Sequence, residues 1–522
     1  MSQSLLTLNE LFTNSFRNHG EKTALHFGSQ KMTYRELHRA ANQVAHALIE
    51  HGVERNTRVA LLLSNSLEYV ASELGIYFSG GTLVPMNDML SEKDIYHILK
   101  DSGAKVLLVG EQFFSNIEHI KSDLPELTTI VGITNSEKTT STNFITWDDF
   151  QSSQPDHDID ISITPENNSK IIYSGGTSGL PKGVVDSHKT TFLTYISMMD
   201  EVNIREDEKI LLMTPLPHAA GLYLMAGLVR GAEVFIESKF DTKLLLEHIE
   251  KNKITFLSLV PTMIYRVLDF MEGKNVDVSS IRTIQYGTAP ITVGRLRQAL
   301  DIFGQVFIQA YGQQETQNVV TWLKKEDHRT DEEYSHLLSS CGKSTFFSRI
   351  KIVDGNGCEV SRGVKGEIAV KSLTNMIRYH NMPIETAETL KDGWVYTGDM
   401  GVMDEKGYLY LLDRKKDMII SGGMNVYSSE VENVIQEHHG VRQVAVIGIP
   451  DSDWGEAVTA FIIPKNESVT VEDIQEYCNQ TLSKYKKPKV IHLVESLPLT
   501  PYGKVDKKVI RAPYWDSAVR QI

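Results

Sequence analysis

Apolar and polar positions alternate along this chain with two periods, and the switches between them mark out its elements. Residues 34–52 bring Leu37, Ala41, Val44 and Leu48 onto one face at helical spacing, with Gly52 as a C-terminal stop. The run VALLLS at 59–64 is short and continuously apolar, and predicts a buried strand. SLEYVASELGIYF then predicts a helix, TLVPM a strand, SEKDIYHILKDSG a helix and KVLLVG a strand. After a polar stretch at 136–158 the rhythm resumes. KIIYSG, KILLMT, AEVFIE, ITFLSLV, TIQYG and VFIQAYG predict strands, with amphipathic runs such as DTKLLLEHIEKNK and VGRLRQALDIFG between them. Strand–helix alternation of this kind implies parallel sheets covered by helices, with ligands outside the carboxyl ends of the strands.

From about residue 345 the pattern changes to short strands with Gly turns: RIKIVDGNG, GEIAVKS and GYLYLLD. A last segment, beginning near 417, reads helix (EVENVIQEHHG), two strands (QVAVIGIP, AVTAFIIP), helix (VEDIQEYCNQTLSKY) and strand (VIHLVESLP). The expected fold is a large N-terminal α/β domain over 1–415, with a subdomain change near 160 and a β-rich part at about 345–412. A smaller α+β domain would occupy 416–522.

Composition narrows the function classes. Of 522 residues 41% are apolar and 23% charged, which is globular composition and excludes wholesale disorder. Three scattered cysteines, Cys341, Cys358 and Cys478, cannot make a disulfide framework or a Cys-rich zinc site, so a reducing compartment is expected. The start of the chain lacks the cationic and apolar pattern of a leader, and no run approaches the ~18 apolar residues of a membrane helix. A cytoplasmic protein with no integral membrane segment is the expectation. The net charge of −14 argues against a general nucleic-acid binder but not against a local cationic pocket for a small anion.

Candidate chemistry concentrates in Tyr173-Ser174-Gly175-Gly176-Thr177-Ser178-Gly179-Leu180-Pro181-Lys182-Gly183, directly after an apolar strand. Glycines let main-chain N–H groups approach an anion; hydroxyls and one Lys add charge-assisted donors, so a polyphosphate is the natural ligand. Taken alone, such a stretch is more often a solvated turn. It is not a kinase-type P-loop, because Lys182 follows Pro181 and precedes Gly183. Gly342-Lys343-Ser344-Thr345 has the ending of that motif, but Leu337 stands where its leading glycine belongs.

With its neighbours, this stretch resembles the signature of the adenylate-forming superfamily, in particular acyl-CoA synthetases. Further similar elements follow in order: Pro215-Leu216-Pro217-His218-Ala219-Ala220-Gly221, Tyr286-Gly287-Thr288-Ala289-Pro290, Tyr311-Gly312-Gln313-Gln314-Glu315, Gly393-Trp394-Val395-Tyr396-Thr397-Gly398-Asp399, Asp413-Arg414-Lys415-Lys416-Asp417 with Gly422-Gly423, and Pro501-Tyr502-Gly503-Lys504. Each residue alone reads as a buried histidine, a turn carboxylate or a solvated cation. Their ordered ensemble reverses that reading.

The resemblance implies activation of a carboxylic acid by ATP, giving acyl-AMP and pyrophosphate, then transfer to CoA giving acyl-CoA and AMP. It assigns ATP binding to Ser174, Gly175, Gly176, Thr177, Ser178, Gly179, Lys182, Gly287, Thr288, Ala289, Tyr311, Gly312, Gln314, Asp399 and Arg414. Glu315 would hold Mg²⁺, His218 would lie near the acyl pocket, and Lys504 would be the catalytic cation. A mobile C-terminal domain would swing about Lys416, placing Gly422 and Gly423 along the CoA channel. Gln314 departs from the usual Thr. Ala219–Leu222 with Tyr286 and Gly287 imply an apolar acid pocket with no cation for a second carboxylate, which favours a fatty or aryl acid. Loading of a carrier protein is the alternative, and a non-catalytic nucleotide-binding protein a more distant one. A homodimer is the default assembly.

Overall fold

The computed structural model describes residues 6–134, 144–174, 181–289, 291–415, 417–499 and 505–515. Two large sheets dominate. A nine-stranded sheet runs Lys343–Ser344, Thr321–Leu323, Phe307–Tyr311, Thr283–Gly287, Phe256–Leu259, Lys209–Leu212, Glu233–Ile236, Thr23–Phe27, Gln30–Thr33. From Phe307–Tyr311 to Thr23–Phe27 its neighbours are parallel. An eight-stranded sheet runs Arg378–Tyr379, Lys182–Ser187, Asn168–Ser174, Thr82–Met86, Arg58–Leu62, Val106–Gly110, Thr129–Ile133, Ile145–Thr146. It is parallel except where Lys182–Ser187 and Arg378–Tyr379 close one edge.

Helices fill the space between the sheets. Tyr34–Glu50 starts at a capping box, Thr33 with Glu36, and buries Leu37, Ala41, Val44 and Leu48 completely. Leu67–Phe78 is buried on every side, as expected of a helix held between two sheets. With His188–Glu201 and Gly221–Arg230 these helices share one apolar cluster with Leu61 and Leu83 of one sheet and Ile210 and Val234 of the other. Outer helices cover the remaining faces: Thr242–Asn252, Pro261–Met271 and Val293–Phe303 on the nine-stranded sheet, Glu92–Ser102 and Phe114–Ile120 on the other.

An antiparallel sheet follows, built on Ser348–Val353, Gly366–Ser372, Leu390–Lys391, Trp394–Met403 and Leu409–Arg414. A smaller α+β unit comes last. There the hairpin Val441–Asp451 with Gly455–Pro464 packs against Ser428–Gln436 and Val471–Thr481 over its own core of Val431, Ile435, Val458 and Ile474. This is the expected fold class. Strands without a reading in the sequence include Thr23–Phe27, Gln30–Thr33, Thr129–Ile133, Thr321–Leu323, Trp394–Met403 and Lys182–Ser187. The last supplies half of the site.

Candidate functional site

Strand register places the phosphate-type residues. Asn168–Ser174 and Lys182–Ser187 pair antiparallel, so that Ser174 lies opposite Lys182, Ile172 opposite Val184 and Lys170 opposite Asp186. Side chains alternate across a sheet. Ile171 and Tyr173 therefore enter the outer core, while Ser174, Ile172 and Lys170 face the other way. The next strand brings in Tyr379, which no sequence motif marks. Val184 pairs with Tyr379, whose ring lies 5.3 Å from the Lys182 ammonium. The Tyr379 hydroxyl donates to Glu315 Oε1 at 2.7 Å. Burial and that carboxylate push the hydroxyl far above its ordinary pKa, so it remains a donor. Lys182, Tyr379 and Glu315 thus form one group at the end of the strand pair.

A second group lies along Tyr311. Its hydroxyl donates to Asp399 Oδ2 at 2.9 Å, and Arg414 Nε lies 3.4 Å from Asp399 Oδ1, the two residues being cross-strand partners. Burial, then Asp399, raise the Tyr311 pKa. Gly312 follows where no side chain fits: a Cβ there would stand 2.5 Å from the Asn318 backbone. Gly287 ends its strand, and Thr288 beyond it holds φ +65°, a left-handed conformation costly for a β-branched residue. Such strain persists where the surrounding structure imposes it, commonly at ligand sites. Ala289 adjoins it. Tyr286 is not part of an acid pocket: it is buried in the core, where its hydroxyl meets Gln309 and His328.

A narrow cavity is lined by His218, Gly221, Leu222, Leu216, Pro217, Leu83, Pro85, Ile172, Gln314, Asn318, Tyr69, Glu73, Lys170 and Tyr195. Asn87 accepts from Met89 N–H through Oδ1, which turns its Nδ2 toward His218 Nε2 at 2.7 Å. His218 Nε2 is thereby an acceptor, and its proton sits on Nδ1. Gln314 Oε1 accepts from Asn318 at 3.2 Å, leaving its Nε2 buried without a partner. Contrary to the expectation of no cation, Lys170 lines this cavity, fully buried; desolvation lowers its pKa. Burial raises Glu73 and Asp186 beside it, each to about 7.

Gly422 and Gly423 lie on the C-terminal sheet, apart from these groups. They form the turn between Ile419–Ser421 and Met424–Val426, with φ +59° and +77°, as a two-residue hairpin turn requires, and Gly422 packs beside Trp454. Gly175, Gly176, Thr177, Ser178, Gly179, Pro290, Lys416 and Lys504 lie outside the described residues. The Gly342-Lys343-Ser344 decoy is a sheet-edge strand paired with Thr321–Leu323. In the basic stretch Lys484-Tyr485-Lys486-Lys487-Pro488-Lys489, Lys486 pairs with Glu430 and Lys487 bonds the Asn479 carbonyl. No helix among the described residues is long and apolar enough to cross a membrane.

Residues 12–380 match the AMP-binding enzyme family and 430–504 its C-terminal domain. A medium/long-chain fatty-acid–CoA ligase of Mycobacterium tuberculosis, FadD8, is 34% identical, covering 98% of this chain and 91% of its own. A fatty acid–acyl-carrier-protein ligase of Streptomyces coeruleorubidus, ScoC, is 32% identical, covering 98% and 97%. The ATP-bound crystal structure of MatB from Rhodopseudomonas palustris superposes with a TM-score of 0.88 at 26% identity, covering 97% and 99% of the two chains.

Proposed function

This chain belongs to the AMP-binding enzyme family, and from that premise we propose that it is an acid–thiol ligase that converts a carboxylic acid, ATP and CoA to acyl-CoA, AMP and pyrophosphate. The observation that carries the proposal is the meeting of Lys182, Tyr379 and Glu315 in one group, with Gln314, the chain neighbour of Glu315, on the wall of a cavity that also holds His218.

A carboxylate is a poor acyl donor because oxide is a poor leaving group. In the first half-reaction its oxygen attacks the α-phosphorus of ATP; the bond to the β-phosphate oxygen breaks and pyrophosphate leaves. Two anions approach each other, so cations and aimed donors set the rate. Lys182 and the main-chain amides of the loop after Ser174 would hold the β- and γ-phosphates, and Asp399 with Tyr311 the ribose hydroxyls. The unpartnered Gln314 Nε2 is a donor for the nascent acyl phosphate, a part a threonine hydroxyl can also play. No protein nucleophile is required; positioning and charge do the work.

A divalent cation fits this site. Mg²⁺ is typically held by one or two carboxylates plus substrate phosphates, and Glu315 has one oxygen beyond that bonded by Tyr379. When bound, it offsets charge on the phosphate oxygens.

In the second half-reaction thiol sulfur attacks the adenylate carbonyl, the C–O bond to AMP breaks and the thiol loses its proton. Resemblance to the family assigns Lys504 to the first step. It also assigns to residues 416–522 a rotation about Lys416 that withdraws Lys504 and brings Gly422-Gly423 to the thiol route. A hinge at a domain boundary suits such gating. The relative ScoC keeps a carrier-protein thiol as the second acceptor.

The test is acid-dependent exchange of labelled pyrophosphate into ATP, followed by thioester formation with CoA or a phosphopantetheinylated carrier. Lys504→Ala should abolish exchange yet form thioester from supplied acyl-adenylate. Exchange that does not depend on any acid, or equal loss of both activities in the variant, refutes the scheme.

A further inference from the structure

The cavity beside His218 ends on polar groups, which is unusual for a pocket that takes an alkyl tail. Ser174, opposite Lys182, ends the strand on the side of the phosphate-type stretch; Lys170, four residues back along the same strand face, lies about 13 Å from it at about 3.3 Å per residue. There Lys170 lines the cavity together with Glu73, Tyr69 and Tyr195, and its ammonium stands 5.8 Å from the Tyr195 ring. The Tyr77 hydroxyl donates to Glu73 Oε1 at 2.9 Å. Tyr69, by contrast, is completely buried and its hydroxyl has no hydrogen-bond partner. A buried hydroxyl left unpaired is costly, so an unpaired one on a pocket wall marks a place for a polar atom, of a water or of a ligand that displaces it.

We propose that the acid activated by this chain carries a second, uncharged oxygen function (a hydroxyl, oxo or ether group) at the end remote from its carboxylate, and that Tyr69 and Lys170 recognise it. This rests on the adenylation reading above and narrows its substrate. Charge balance selects a neutral group. Lys170 lies with Glu73 on the cavity wall and opposite Asp186 on the next strand, and burial already pushes both carboxyls toward their neutral forms. A distal carboxylate brought to the same place would meet the same burial penalty, and a distal ammonium would meet Lys170. A methyl end would leave the Tyr69 hydroxyl and the ammonium facing hydrocarbon, which neither can bond. A neutral oxygen accepts from both and changes no charge.

The test measures kcat/KM for pyrophosphate exchange with the whole protein. The acids are short- to medium-chain alkanoic acids, their ω-hydroxy counterparts and α,ω-dicarboxylates, and cinnamate with para-hydroxycinnamate. The best oxygenated acid should exceed its unsubstituted counterpart by about 10²-fold, because a site built to bond an oxygen rejects the analogue lacking it. In Tyr69→Phe that ratio should fall at least about tenfold, one hydrogen bond's share. A wild-type ratio near one, or a dicarboxylate as the best substrate, overturns the inference while leaving the ligase reading intact. Absence of exchange with every acid overturns both. If Tyr69→Phe proves unstable, the wild-type ratio decides alone.

Discussion

Replacing Tyr379 with phenylalanine removes one oxygen from the candidate site and leaves the rest of the side chain in place. The ring 5.3 Å from the Lys182 ammonium is retained, so the cation–π contact survives. What is lost is the 2.7 Å hydrogen bond to Glu315. Hydrogen bonds to a charged partner are worth about 1.5–3 kcal/mol. Glu315 is only half-buried and water replaces part of the bond, which puts the loss near the low end, at about 1.5–2 kcal/mol. At about 1.4 kcal/mol per tenfold, kcat/KM for ATP in acid-dependent pyrophosphate exchange should fall about 10- to 30-fold. The Mg²⁺ concentration for half-maximal rate should rise as well, since Glu315 loses the contact that orients it. A double-mutant cycle with Glu315→Gln separates this from general damage. Because both substitutions act through one carboxylate, their combined effect should be clearly smaller than the product of the two. A Tyr379→Phe enzyme within twofold of wild type, or effects that multiply in full, would refute the assignment.

Lys182→Ala should raise KM for ATP by about 10- to 100-fold, the worth of one charge-assisted contact, while thioester formation from supplied acyl-adenylate, which has no β- or γ-phosphate, changes little; equal loss in both assays contradicts its role. Thr288→Gly relieves left-handed strain of about 1–3 kcal/mol at the expense of about 1 kcal/mol of chain entropy. The denaturation midpoint should therefore rise while KM for ATP worsens, and an unchanged midpoint speaks against stored strain. Glu73 has a pKa of about 7 in the folded protein against an ordinary 4.5, because it is buried. Between those values the folded state holds a proton that the unfolded state has released, so its contribution to stability falls as pH rises from about 5 to 7 and is complete below that window. Glu73→Gln keeps an acceptor for Tyr77 and should flatten this part of the stability–pH curve. A curve parallel to wild type would show that Glu73 does not titrate there.

Local order could be read from the chain. The face of Leu37, Ala41, Val44 and Leu48 is complete within 17 residues of helix, so periodicity alone reveals it. The Gly-rich stretch after Ser174, the paired glycines 422–423 and the order of the motifs likewise lie in neighbouring residues, and with them the fold class and the family. Tertiary structure decided what those motifs face. Tyr379 reaches Glu315 across 64 positions, and Lys170 meets Asp186 only because two strands pair in one register. Tyr69 comes to the same cavity from a different element, the helix Leu67–Phe78. A buried lysine or an unpaired tyrosine hydroxyl has no signature in sequence, because burial and pairing belong to side chains brought together from distant segments. Composition and motif thus carry the kind of chemistry, and packing between the two sheets decides which side chains line the cavity, because those contacts join segments far apart in the chain.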